Sequence, residues 1–217
     1  MSYNGAIASH LWGEYTVPTN LPGNLPVFRA SEWGARPATH TSADTVPTEM
    51  VVHHMDTANR APIADRAAAV ARAFELARST QIDHMNRGFA DSGQHFTVTI
   101  DGIVLEGRRG SLDALLAGRC IHGAHAADGG IDHNDSWGTE HEGNYMSAEM
   151  PAAQRNASVH LHAVMAMLCH LDSATIIGHR DTGINTDCPG DRFHTEIPAF
   201  RQAVHEKILE LHAAQPV

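Results

Sequence analysis

The chain has 217 residues, of which 42% are hydrophobic and 18% are charged, and its formal net charge is −10. This composition is typical of a soluble globular protein with one compact domain, and it excludes a disordered chain. Lys and Arg form no cluster, which excludes nucleic acid and an anionic membrane as main partners. No apolar run approaches the roughly 18 to 20 residues needed to cross a bilayer, so no membrane span is predicted.

Residues 1–26 differ in composition from the remainder of the chain. They are rich in Pro, Gly and Asn and have little hydrophobic periodicity, which predicts an N-terminal extension. The first 18 residues lack a basic region followed by a long apolar core, so they are not interpreted as a secretory signal. The domain itself is expected to cover residues 27–217.

Strands and helices are predicted to alternate after this extension. Met50–Val52 is a short apolar run, which predicts a buried strand ending in His53 and His54. Two β-branched runs flank Asp101-Gly102 and predict a tight hairpin. Further strands are expected at 137–145 and 174–178, and helices at 63–88, 111–118, 150–172 and 195–214. This alternation predicts a mixed α/β domain built around one sheet.

Histidine is the outlier of the composition, with 17 residues. Two predicted strands finish in a His, namely His53 and His179, and α/β folds place ligands at such strand ends. A catalytic zinc takes three protein ligands and one open position, and Cys188 lies in a loop long enough to return to the same edge. Spacing alone leaves open whether Cys188 is a ligand, a nucleophile or a buried thiol. A disulfide between Cys120 and Cys169 is also left open.

Eight short motifs follow one another in an order that is informative as a set. They are EWGAR at 32–36, VVHH at 51–54, QIDHM at 81–85, DSGQHFTVTIDGIVLEGR at 91–108, GAH at 123–125, EGNY at 142–145, GHRD at 178–181 and CPGD at 188–191. Over residues 28–205 the chain resembles the zinc-dependent N-acetylmuramoyl-L-alanine amidases of the type 2 amidase and peptidoglycan recognition protein superfamily. The resemblance implies a central mixed β-sheet flanked by helices, with a groove for a glycan-peptide.

The resemblance also implies a Zn²⁺ site formed by His53, His179 and Cys188. A Cys is the third ligand in the recognition-protein and phage-lysozyme branches, whereas the cytoplasmic anhydromuropeptide branch uses Asp. In this interpretation His54 points to the opposite side of its strand, where it packs or supports the ligands.

One position departs from the pattern of the recognition-protein and phage-lysozyme branches. Their catalytic members carry a Tyr beside the zinc where this chain has Gln94, which cannot act as an acid or a base. Glu140 matches the catalytic carboxylate of the anhydromuropeptide branch, so it is the predicted general base and acid. Glu142, two positions on in the same predicted strand, is expected to share that role or to line the groove. Thr186 is the predicted donor to the oxyanion.

The resemblance implies hydrolysis of the amide between N-acetylmuramic acid and L-alanine of peptidoglycan. Gln94, His125, Asn134 and Glu142 are the predicted substrate-binding residues. Gln94 also motivates a second hypothesis, a peptidoglycan-binding module without turnover, and a third is zinc amidase chemistry on another peptide-like substrate. The expected partner is peptidoglycan or a muropeptide, at an extracellular or wall-facing location.

Overall fold

The computed structural model describes residues 18–126 and 131–214. Nine strands are assigned in these ranges: β1 (Thr19–Leu21), β2 (Leu25–Phe28), β3 (Asp44–Thr45), β4 (Met50–His54), β5 (Phe96–Val98), β6 (Val104–Glu106), β7 (Cys120–Ile121), β8 (Trp137–His141) and β9 (Ile176–Gly178). The α-helices there are α1 (Arg66–Asn86), α2 (Ser111–Leu116), α3 (Ala152–Cys169) and α4 (Asp191–Ala213). No helix within the described ranges is long and apolar enough to cross a membrane.

Seven of these strands form one mixed sheet in the order β1-β2-β6-β5-β8-β4-β9, which confirms the predicted fold class. The β1–β2 and β5–β6 pairs are antiparallel, whereas β4 runs parallel to both of its neighbours, β8 and β9. Because parallel strands end at the same edge of a sheet, the carboxyl ends of β8, β4 and β9 lie side by side.

Helices cover the two faces of the sheet. On one face, Val70 and Phe74 of α1 pack against Phe28 and Leu105. On the other face, α3 and α4 enclose a larger core that includes the alternate sheet residues Val27 and Val104. This alternation follows from the two-residue period of a strand, since each successive side chain faces the opposite side.

Helix α1 begins at Arg66, three residues after the predicted start. Asp65 is the N-cap, and its carboxylate accepts a hydrogen bond of 2.8 Å from the amide of Ala68. Such a cap typically stabilises a helix by about 1 kcal/mol. The helix ends near Gly88, whose φ of +93° favours glycine.

Two further sequence expectations differ from the structure in detail, and one alternative that the sequence leaves open is decided. The expected boundary at residue 27 falls inside β2, and β1 already joins the sheet at Thr19, while residues 1–17 lie outside the described residues. Helix α4 begins at Asp191, four residues before the predicted start. Cys120 and Cys169 are both free thiols, so the pair left open is not formed.

Candidate functional site

Two parallel strands bring His53 and His179 together at the carboxyl edge of the sheet. Val52 of β4 is in register with Gly178 of β9, and each is followed directly by the His. The two imidazole rings are 4.5 Å apart between centroids. The juxtaposition predicted from the two strand ends is therefore present.

The loop after His179 returns Cys188 to the same place. Its Sγ lies 3.6 Å from Nδ1 of His53, and one ligand atom from each of the three residues lies within 4.8 Å of the others. The amide of Arg180 donates to the Cys188 carbonyl at 2.9 Å, which closes the loop. Gly190 adopts a φ of +95° directly against the backbone of Tyr145, where a side chain has no room.

The protonation states of this group suit a metal ion. Burial lowers the pKa of His53 well below its usual value and also lowers that of His179, so both imidazoles are neutral near pH 7. The Nε2 atom of His179 is buried and has no hydrogen-bond partner. An unsatisfied buried nitrogen beside a second imidazole and a thiol is consistent with a soft or borderline divalent metal, so the three residues could hold such an ion.

The surroundings of Cys188 keep its thiol protonated, which is unfavourable for a nucleophile. Burial raises the pKa of Cys188 to about 12, and the thiolate is the reactive form of cysteine. A metal ligand must also be a thiolate, but there the metal itself supplies the free energy that removes the proton. The environment of Cys188 therefore favours a ligand over a free nucleophile.

A cavity of about 540 Å³ lies over this group. Glu140 of β8 is in register with His53 of β4, so the two side chains share a face of the sheet, and Glu140 lines the cavity. Burial raises the pKa of the Glu140 carboxyl to about 7. A carboxyl that titrates near pH 7 can both accept and donate a proton under working conditions.

Two more of the predicted residues line the cavity. The Thr186 hydroxyl oxygen accepts a hydrogen bond of 3.2 Å from the amide of Cys188, which leaves the hydroxyl hydrogen free to donate. His125 forms part of the wall, and its Nδ1 lies 3.1 Å from Nε2 of His53. Burial lowers the pKa of His125 to about 3, so this ring is neutral as well.

The other predicted groove residues do not line the cavity. The side chain of Gln94 is enclosed beside β5 and is only 1% exposed. Its amide nitrogen donates a hydrogen bond to the Thr97 hydroxyl. Glu142 is 2% exposed and accepts a hydrogen bond from the amide of Ile100. Since β8 ends at His141, the strand alternation that would place Glu142 on the same face as Glu140 does not continue. Asn134 supports the neighbouring loop through hydrogen bonds with backbone atoms.

The C-terminal end of α1 supplies a wall of the cavity that is not evident from the sequence. His84, Arg87 and Phe89 line the cavity, and an adjoining cavity of about 390 Å³ continues along the same helix. His84 and Arg87 are three positions apart, which places them on one face of a helix, but only the position of α1 reveals which face meets the cavity.

His54 borders both cavities, but it follows Val52 on the side of β4 that faces the α3–α4 core. Its Nδ1 accepts a hydrogen bond of 3.2 Å from the amide of Tyr145. The His54 ring therefore lies on the side of the strand opposite to His53, as expected.

The raised pKa of the Glu140 carboxyl can be tested by measuring the free energy of unfolding at different pH values. Its pKa is about 7 in the folded state against a usual value of 4.5, so the folded state binds the proton more tightly than the unfolded state. Its stabilising contribution is complete below pH 4.5 and is lost as the pH rises through 7. Relative to Glu140→Gln, metal-free wild type should lose about 2 kcal/mol of unfolding free energy between about pH 5 and about pH 8 in denaturant titrations. A difference between the two proteins that is independent of pH would contradict the raised pKa.

Known proteins share this architecture. Drosophila PGRP-LB superposes with a TM-score of 0.64 at 24% identity, over 80% of this chain and 92% of that one. A mutant of the same protein in complex with tracheal cytotoxin gives the same TM-score and identity, over 80% and 93%. The amidase LysC from Clostridium intestinale superposes with a TM-score of 0.58 at 20% identity, over 80% and 95%. At these identities the likeness establishes the fold.

A family profile supplies the sequence relationship. No curated protein has a significant match to this chain. The profile described as N-acetylmuramoyl-L-alanine amidase (Amidase_2) matches residues 43–191, a range that contains both His53 and Cys188. Because the match covers more than half of the 217 residues, the chain belongs to the N-acetylmuramoyl-L-alanine amidase family.

Proposed function

We propose that the protein is a zinc-dependent hydrolase that cleaves the amide bond between N-acetylmuramic acid and L-alanine of peptidoglycan. The observation that carries the proposal is the group of His53, His179 and Cys188 at the floor of a cavity, with Glu140 on the same face of the sheet. Membership of the amidase family supports this reaction over other metal-assisted hydrolyses.

Zn²⁺ is the metal that this donor set fits, because two imidazoles and one thiolate are ligands of catalytic zinc. When bound, zinc lowers the pKa of water and polarises a carbonyl oxygen. The protein residues present two neutral nitrogens, and the thiol of Cys188 releases its proton on binding.

Glu140 is the proposed proton carrier. It takes the proton of the attacking water and delivers that proton to the amine of L-alanine as the amide C–N bond breaks. A pKa of about 7 suits both directions of transfer, since neither form of the carboxyl is strongly favoured. With the Glu140 carboxylate beside the metal group, a Tyr at position 94 is not needed for proton transfer. The Gln94 side chain that stands there is buried away from the cavity.

Thr186 is the proposed donor to the oxygen of the scissile carbonyl. Its oxygen already accepts from the Cys188 amide, so its hydrogen can point into the cavity that it lines. A donor fixed beside the developing negative charge stabilises the transition state without reorganising.

The proposed substrate is peptidoglycan or a soluble muropeptide. The cavity over the metal group and its continuation along α1 share the residues Glu140, His84 and Arg87, and we propose that together they form the groove for a peptide attached to a sugar. The complex of the Drosophila relative with tracheal cytotoxin supports a ligand of this class. The exposed guanidinium of Arg87 in the groove wall is suited to a carboxylate of the stem peptide.

Removal of the metal provides the direct test of this function. We expect zinc-loaded protein to release peptides with a free L-alanine N-terminus from purified peptidoglycan, and a chelator to abolish that release because it removes the metal from the ligand group. Mass spectrometry of the soluble products with and without chelator measures both effects. Release that continues unchanged after verified loss of zinc would exclude the proposed mechanism.

A peptidoglycan-binding module without turnover is the second candidate, and Gln94 at the position of the catalytic Tyr favours it. Sedimentation with cell wall separates the two functions. A binding module should sediment equally well with and without zinc and should release no peptide, whereas the hydrolase releases peptide only when it is loaded.

A further inference from the structure

The ring of His125 lies between a metal-group residue and a backbone carbonyl. Its Nε2 lies 3.1 Å from the carbonyl oxygen of Ser136, and its Nδ1 lies 3.1 Å from Nε2 of His53. His53 in turn directs its other nitrogen, Nδ1, toward Sγ of Cys188 at 3.6 Å. The three side chains and the carbonyl thus form one continuous chain of contacts.

The direction of each hydrogen bond follows from the carbonyl at one end. A carbonyl oxygen can only accept, so Nε2 of His125 carries the hydrogen. A neutral imidazole has one N–H, so Nδ1 of His125 is a lone-pair acceptor. The hydrogen of the next bond must then lie on Nε2 of His53, and Nδ1 of His53 keeps its lone pair on the side of Cys188.

The surroundings of His125 fix the position of its ring. The amide oxygen of Asn134 accepts hydrogen bonds from the backbone of His125 at 2.7 Å and of Ala126 at 3.0 Å. A Cβ at Gly138 would collide with the ring, and one at Gly123 would lie 2.8 Å from its Cδ2. Two glycines therefore make the space that the ring fills, and an asparagine anchors its backbone.

We infer that His125 is a positioning residue that holds His53 as its Nε2–H tautomer, with the Nδ1 lone pair directed to the metal. This inference rests on the proposed zinc site, but it assigns His125 a role different from the substrate contact implied by the family resemblance. A ligand held in the correct tautomer loses no free energy in redistributing its proton when the metal binds.

Two nearly isosteric variants separate hydrogen bonding from packing. Leu at position 125 removes the acceptor, whereas Asn keeps an oxygen at the place of Nδ1, and neither side chain reaches the Ser136 carbonyl. We expect His125→Leu to weaken zinc binding about 10- to 100-fold, and His125→Asn to recover most of that loss. Competition with a chromogenic chelator measures the zinc affinity. Thermal unfolding of the metal-free proteins reports any general loss of structure, which should be similar in both variants.

The tautomer is measured independently of the metal. Imidazole ¹⁵N chemical shifts of His53 in metal-free protein should show protonated Nε2 and unprotonated Nδ1 in wild type and His125→Asn, and a mixture of tautomers in His125→Leu. A protonated Nδ1 in wild type would overturn the inference even if a variant failed to fold. Equal zinc affinity of the Leu and Asn variants would overturn it as well, and impaired hydrolysis with that affinity unchanged would assign His125 to substrate binding.

The same measurements distinguish failure of the inference from failure of the proposed function. If wild type binds no zinc, the proposed function fails, whereas the ¹⁵N shifts of the metal-free protein still decide the tautomer of His53. If wild type binds zinc and the tautomer does not depend on residue 125, only the positioning role is lost.

Discussion

Cys188→Ala should lose zinc and, with it, hydrolysis. Cys188 supplies the only sulfur in the metal group, and its loop is held in place by the Arg180–Cys188 backbone hydrogen bond. Loss of a residue that merely supports a ligand typically weakens metal binding about 10- to 100-fold, so loss of the ligand itself should cost at least about 100-fold. Zinc content after dialysis and peptide release from cell wall measure the two losses.

Cys169→Ala is the matched control for this substitution. Cys169 is also a half-buried free thiol, its Sγ accepts a hydrogen bond from the indole of Trp137, and it does not line the cavity over the metal group. We expect this variant to retain wild-type zinc content and hydrolysis. If Cys188→Ala also retained both, Cys188 would not be a ligand, whereas sedimentation with cell wall and no hydrolysis in any of the proteins would favour the binding module.

Much of the fold was predictable because its elements carry local signals. The hairpin at Asp101-Gly102 forms where two β-branched runs flank a turn, and Gly102 adopts the positive φ of +72° that the turn requires. The order of strands in the sheet has no such local signal. β1 pairs with the nearby β2, but β2 joins the sheet through parallel pairing with β6, and this long-range contact is not visible in a Pro- and Gly-rich stretch.

The candidate site likewise contains residues that local sequence signals predict and residues whose positions only the folded chain reveals. His53 and His179 are predictable because each follows an apolar strand, and parallel pairing brings them together. The burial of Gln94 and Glu142 is not predictable, because residue identity and spacing do not reveal whether a polar side chain is enclosed by its neighbours. The contact between His125 and His53 joins residues 72 positions apart, so it required the folded chain.

Glu140→Gln should abolish most of the hydrolysis while leaving the zinc site intact. The amide keeps the size of the side chain but cannot take a proton from water, and general acid–base catalysis typically contributes about 10²- to 10⁴-fold. We therefore expect kcat to fall by about that factor, with zinc content unchanged because Glu140 lies outside the group of two imidazoles and one thiol. Steady-state kinetics on a soluble muropeptide, together with metal analysis, measures both quantities.

Glu142→Gln is the matched control, since Glu142 lies two positions on and was expected to share the role. Its Oε2 accepts the amide hydrogen of Ile100 in the interior, and a glutamine oxygen can still accept there. We expect kcat to stay within about threefold of wild type, because the side chain does not line the cavity and contributes no acid–base step. Equal losses in the two variants would mean that the carboxylates act through stability or net charge. Full activity of Glu140→Gln would move the proton transfer to another cavity residue, and His84 would be the next to replace.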